Sequence, residues 1–193
     1  MIMIILDSQN VETERLSALK RYNIVDTPPH GSFNKMTSLA SNLFDVPVSI
    51  ITLVDHDRIW FKSSYGLELN QINKDEGLCA TAILHDDIYV VEDASVDVRC
   101  MRNPLVAGEF GLKFYAAAPL TTKDGHNLGT FCIIDKKPRV INEREKIILQ
   151  QMAEIVMDEI ELQLSASDTV KKSINRIIEL EKENNKLKAR VLI

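Results

Sequence analysis

Cysteine is scarce and poorly spaced for structural chemistry: Cys79, Cys100 and Cys132 are the full complement, with no CxxC pair among them. An odd count so widely separated argues against a disulfide framework or a zinc site, and leaves reduced thiols in a cytoplasm as the expectation. Long apolar runs are missing as well. None approaches the roughly 20 residues that cross a bilayer. The opening Met1-Ile2-Met3-Ile4-Ile5-Leu6 is too short for a signal peptide, lacks a basic flank, and is expected to pair as a short strand or pack at a helical interface. Basic residues are outnumbered, 23 Lys and Arg against 28 Asp and Glu. A basic face that could displace the counterions of nucleic acid is therefore not expected. Histidine is limited to His30, His56, His85 and His126, none paired at i, i+4, so no metal site follows.

What is present suits a folded, soluble domain with a helical extension: 193 residues, 45% hydrophobic and 26% charged. Leu16, Leu19 and Tyr22 lie at helical spacing in the run from Val11 to Tyr22, with Asn10 as the expected N-cap and Thr27-Pro28-Pro29 as the stop. A second helix is expected from Ser32 to Phe44, its stripe made by Phe33, Met36, Leu39, Ala40, Leu43 and Phe44. The period then changes. Val46 to Val54 reads as a central strand, and Arg58 to Tyr65 as its hairpin partner. Residues 67–77 read as loop, Leu78 to His85 as a short helix, and Ile88 to Asp93 as a further strand. Leu112 to Thr121 and Leu128 to Asp135 flank Asp124-Gly125, a strong hairpin signal. Adjacent hairpins covered by helices predict an α+β arrangement in one domain.

From Asn142 to Ile193 there is no Gly or Pro. With Asn142 as N-cap and Glu143 and Glu145 near the positive helix end, a single helix of about 78 Å is expected. Its first part, with Ile147, Ile148, Leu149, Met152, Ile155, Val156 and Ile160, is apolar enough to pack on the domain. Its last part steps by 3 and 4 through Ile177, Leu180, Asn184, Leu187 and Val191. That places Ile177, Asn184 and Val191 at a and Leu180 and Leu187 at d, the pattern of a parallel two-stranded coil whose register a buried Asn pair would fix. Met157, Ile160, Leu164, Ser167, Lys171 and Ile174 follow a different frame, with a shift expected near Ile174 to Ile178. The coil reaches Ile193 without a cap, so an output domain beyond it is expected.

The blocks Ile24-Val25-Asp26-Thr27-Pro28-Pro29, Val46 to Asp55, Arg58 to Ser63 and Cys79-Ala80-Thr81-Ala82-Ile83 carry a family resemblance. Asn103-Pro104-Leu105-Val106, Lys113 to Leu120 and Leu128 to Asp135 complete it. From about Glu12 to Glu161 the chain resembles the sensory GAF domains at the N-terminus of bacterial histidine kinases and diguanylate cyclases. The resemblance implies a GAF fold: a central antiparallel sheet of five or six strands flanked by helices. It also implies first and last helices on one face, a ligand cavity on the other, and a parallel homodimer leading to output domains. The expected division is a sensory domain over residues 1–161 and a signalling helix over 162–193.

The candidate pocket comprises Trp60, Phe61, Tyr115 and Phe131 as walls, Cys79 on one side, and Asp93, Arg99, Asn103 and Lys113 as polar contacts; Lys62 and Lys113 are expected to be solvated. GAF relatives that bind bilins follow their cysteine with histidine, but Ala80 follows Cys79. Relatives that bind cyclic nucleotides carry an Asn-Lys-Phe-Asp-Glu pattern that Phe33-Asn34-Lys35-Met36 does not match. No cofactor is assigned. Free methionine sulfoxide reductases share the fold and use several cysteines; Cys79 and Cys100 have a similar order, with Arg99 or Arg102 able to favour a thiolate. Three readings therefore stand: a small-ligand or partner sensor with no catalytic constellation, a thiol reductase, and a ligand-free dimerisation scaffold.

Overall fold

The computed structural model describes residues 2–28, 30–100 and 103–191, the side chains of residues 2–9, 104 and 187–191 lying outside that description. Helix α1 runs Ile2–Tyr22, so the opening segment is helical and not a strand. Asn10 does not cap it. Nothing between Ile2 and Asn10 breaks a helix, an interior Asn costs only a few tenths of a kcal/mol, and Asn10 Nδ2 instead donates to Glu14 Oε1 at 3.1 Å. The helix ends at Asn23, whose φ of 46° is left-handed. Thr27 Oγ1, donating to the Ile24 carbonyl at 2.6 Å, shapes the turn before Pro28.

Helix α2 (Gly31–Phe44) buries Phe33, Thr37, Ala40, Ser41 and Phe44. Leu39 and Leu43, expected in the same stripe, are exposed. The buried arc is centred on the small residues, which let the helix lie close against the sheet, and it leaves the two leucines on its outer flank.

The strands are β1 (Val48–Val54), β2 (Arg58–Tyr65), β3 (Gln71–Asn73), β4 (Tyr89–Val91), β5 (Phe114–Thr121) and β6 (Asn127–Asp135). They form one antiparallel sheet in the order β3-β2-β1-β6-β5-β4. The segment expected as loop over 67–77 contains β3 and a 3-10 turn at Lys74–Glu76. Two short helices, α3 (Cys79–Ala82) and α4 (Pro104–Ala107), lie in the irregular connections. Helix α2 packs on β1, β2 and β6, and α1 on β6, while α3 contacts β1, β5 and β6. Every residue of β1 is buried, so both faces of the sheet centre are covered.

That double cover corrects the expectation for Lys62. It shares a strand face with Trp60 and lies under α2, only 4% exposed. Its Nζ donates to Thr27 Oγ1 at 2.7 Å and to the Pro28 carbonyl at 3.1 Å, and sits 5.2 Å from the Phe33 ring centre. Desolvation lowers its pKa, because burial disfavours the charged form.

The chain divides into a unit of residues 1–158 and one of 159–193. Helix α5 (Glu143–Val191) begins in the first. Asn142 caps it as expected: Asn142 Oδ1 accepts from Glu145 N at 3.0 Å, and Glu145 Oε2 accepts from Asn142 N at 2.9 Å, a reciprocal capping box. Leu149, Met152, Ala153, Val156 and Met157 are buried, whereas Ile147 and Ile155 are exposed. In the second unit every residue from Ser165 to Lys186 is exposed. The side chains of Leu187 and Val191 lie outside the described residues. Among the described residues no helix is long and apolar enough to cross a membrane.

Candidate functional site

Strand alternation decides which side chains meet on the sheet face beneath α3. Ile50 and Thr52 of β1, Phe61 of β2, Tyr115 of β5, and Cys132 and Ile134 of β6 all line one cavity there. The roof comes from irregular segments: Leu67, Leu69 and Ile72 around β3, Gly77 to Cys79 leading into α3, and Leu105, Phe110 and Leu112 around α4. The cavity holds about 40 Å³. That is room for about three water-sized molecules, far below the roughly 300–1,000 Å³ of pockets that hold drug-sized ligands.

One end of this apolar space is polar. Tyr115 Oη donates to Cys79 Sγ at 3.2 Å, and Cys132 lines the cavity beside it. Thr52 and Thr130, whose hydroxyls are 2.9 Å apart, complete the cluster. The contact with Cys132, joined by Tyr115, Thr130 and Thr52, holds the Cys79 thiol below its ordinary pKa despite burial. The same contact, with burial added, pushes Cys132 well up, and burial does the same to Tyr115. A buried thiol that accepts several hydrogen bonds carries negative charge more readily than its neighbour.

Of the sequence candidates, Phe61, Cys79 and Tyr115 come together at this cavity. Trp60 and Phe131 are buried but do not line it; their strand neighbours Phe61 and Cys132 do. Asp93 and Arg99 line a separate open hollow of about 530 Å³ beside β4, with Glu92, Asp97 and Lys146. Arg99 is paired with Asp97, donates to the Val90 carbonyl at 3.2 Å and stacks over Tyr89 at 5.0 Å. Lys113 is half-buried and acts on Asp93 through its charge. Asn103 tethers the roof: its Nδ2 donates to the Glu76 carbonyl at 2.9 Å, and its Oδ1 accepts from Leu105 N at 2.9 Å.

Cys100 is buried, and desolvation raises its pKa, so the expected activation by Arg99 does not prevail. Arg102 lies outside the described residues. Sequence reasoning missed Cys132, Thr52 and Thr130. The available signal was that Thr130, Cys132 and Ile134 share one face of β6, but the register bringing that face to Cys79 is long-range.

A second cluster ties the roof to α1. Lys74 Nζ donates to Glu12 Oε1 at 2.7 Å. Glu12 takes two bonds from Arg15, at 2.7 and 2.9 Å, and Arg15 Nη1 donates to the carbonyl of Val54, the last residue of β1, at 2.7 Å. Hydrogen bonding from Arg15, with Lys74 adding to it, lowers the Glu12 pKa to about 2. Among the described residues no group of three or more His, Cys, Asp or Glu is placed to hold a metal ion.

The GAF domain family model matches residues 28–160. A cyclic di-GMP phosphodiesterase of Pseudomonas aeruginosa is 36% identical over 147 residues, 76% of this chain and 25% of the relative. The chain thus spans about a quarter of the length of the curated relative it matches. The GAF domain of an Acinetobacter phosphoenolpyruvate-protein phosphotransferase superposes with a TM-score of 0.58 at 18% identity, over 81% of this chain and 96% of that one. A free methionine-R-sulfoxide reductase from Neisseria meningitidis, in complex with its substrate, gives 0.58 at 18%, over 69% and 78%. The blue-light absorbing form of the Thermosynechococcus elongatus PixJ GAF domain gives 0.58 at 14%, over 79% and 92%. At such identities these three speak for the fold alone. With the family model matched over residues 28–160, more than half of the chain, and the sheet in place, the chain belongs to the GAF domain family.

Proposed function

We propose that this GAF domain is a cytoplasmic sensory module of a bacterial signalling protein, without catalysis of its own. It takes a small ligand or partner at the roofed cavity and passes that state to a parallel pair of C-terminal helices over residues 162–193, which lead to an output domain. The relative in Pseudomonas aeruginosa supports the signalling context, since there the matching region accompanies a cyclic di-GMP phosphodiesterase.

The observation that carries the dimer is the outer part of α5. Val170, Ile174, Ile177, Ile178 and Leu180 are between 43% and 58% exposed, in a stretch whose every residue from Ser165 to Lys186 is exposed. A lone helix with that much bare apolar surface gains several kcal/mol by pairing, at about 25 cal/mol per Å² covered. The 3-4 spacing of Ile177, Leu180 and Asn184 selects a coiled coil. A thiol reductase reading draws less support, because Cys100 is raised and not activated.

Native mass spectrometry of the purified chain tests the reading. A dimer retaining a small molecule is expected, or a dimer that gains thermal stability in a ligand screen. Leu180→Cys should cross-link to its own twin, as a parallel coil demands. A monomer at micromolar concentration sinks the relay. A dimer with no response to any ligand leaves only the scaffold.

A further inference from the structure

We propose that Cys79 and Cys132 form a peroxide-oxidisable dithiol, Cys79 attacking and Cys132 resolving, that closes into a disulfide between α3 and β6. This stands apart from the signalling reading, because it concerns one chain and requires neither ligand nor dimer.

Three observations carry it. The two cysteines sit on elements in contact, α3 and β6, and face one another's cavity wall although they are far apart in sequence. Both line the 40 Å³ cavity, which has room for a molecule the size of hydrogen peroxide. Finally, the donors are asymmetric: Tyr115 Oη donates to Cys79 Sγ at 3.2 Å, and this marks Cys79 as the thiol that parts with its proton. Cys100 lacks such a set and is pushed up by burial. Attack by thiolate on an oxidant is faster than attack by thiol.

The steps balance with peroxide as the two-electron oxidant. Cys79 Sγ attacks one peroxide oxygen and the O–O bond breaks. The sulfur becomes a sulfenic acid, and the departing hydroxide leaves as water with the thiol proton. Cys132 Sγ then attacks the sulfenic sulfur. The S–S bond forms, the S–O bond breaks, and the second oxygen leaves as water with the Cys132 proton. Two thiols and one peroxide become one disulfide and two waters, and a dithiol reductant reverses the change.

The test uses the full chain with hydrogen peroxide, followed by intact-mass and non-reducing peptide mapping. The expected product is about 2 Da lighter than the reduced chain, two hydrogens having been lost, and carries a Cys79–Cys132 cross-linked peptide that dithiothreitol removes. Cys100→Ser should keep this product, and Cys79→Ser should slow thiol loss at least about tenfold, the thiolate being the reacting species. Because Cys79→Ser could fail to fold, Cys132→Ser with dimedone provides a second arm, expected to trap a sulfenic acid on Cys79. Dimedone on Cys100, a cross-link that includes Cys100, or a disulfide between chains would each overturn the proposal. So would oxidation of the chain with no Cys79–Cys132 peptide.

Discussion

Glu12 shows how much one carboxylate can organise. It neutralises Arg15, whose side chain is only 6% exposed, and reaches across to Lys74, while Arg15 holds the end of β1. A carboxyl whose pKa drops from 4.5 to about 2 on folding adds stability that is complete above pH 4.5. That stability drains away as pH falls toward 2. The shift corresponds to about 3 kcal/mol at most, and solvent screening of a carboxylate left 37% exposed reduces it to about 1–2 kcal/mol. Glu12→Gln should therefore lose about 1–2 kcal/mol in urea unfolding at pH 7, and the gap to the wild type should close near pH 2. A gap of equal size at both pH values would show that the loss is packing and not charge. None of this was legible in the sequence: Glu12 and Lys74 are 62 residues apart, and their meeting depends on where β3 is laid down. Lys62 was misread for a related reason. In a strand with one dry and one wet face it would be solvated, but α2 makes both faces dry.

At the scale of elements the sequence was far more readable, and the exceptions have causes. Alternation and β-branching marked the five longer expected strands, and Asp124-Gly125 marked the β5–β6 turn, where Gly125 has a φ of 85°. β3 escaped because Gln71-Ile72-Asn73 has one apolar residue between two polar ones, whereas the equally short β4 is marked by Tyr89-Val90-Val91. Gly129 was read only as one residue of an expected strand and a family block, yet its place in β6 is dictated by contact. A Cβ there would stand 1.9 Å from the Thr52 carbonyl oxygen, a backbone atom that cannot swing aside. The neighbouring register pairs Gly129 with Leu53 and Thr52 with Thr130, next to the polar end of the cavity. Gly129→Ala is expected to cost more than about 3 kcal/mol, because relief requires parting β1 from β6. Gly77→Ala has a similarly short approach, 2.1 Å, but to the tip of the Ile59 side chain, which can rotate, and should cost less. Thermal unfolding of the two variants side by side checks the order; equal losses would refute the backbone argument.

For the whole molecule the question is what a helix gains by extending beyond the domain that starts it. The first unit anchors α5 with a capping box and a buried face made by Leu149, Met152, Ala153, Val156 and Met157. From Ser165 to Lys186 nothing on it is covered, so packing within the chain gives this stretch no reason to hold helical shape, and isolated helices are marginal in water. In the proposed dimer a second copy supplies that reason. In a parallel pair Asn184 meets its twin at an a position, where a polar pair gives up stability to fix register and oligomer state. Asn184→Leu should therefore tighten association by about tenfold or more, since apolar a-layers pack better, while allowing trimers or shifted pairings that the wild type does not form. Sedimentation equilibrium reads both effects in one experiment. An unchanged dimer constant with no new species would place Asn184 outside any seam, and a monomer in both forms would mean that the bare stripe is covered by something other than a second copy.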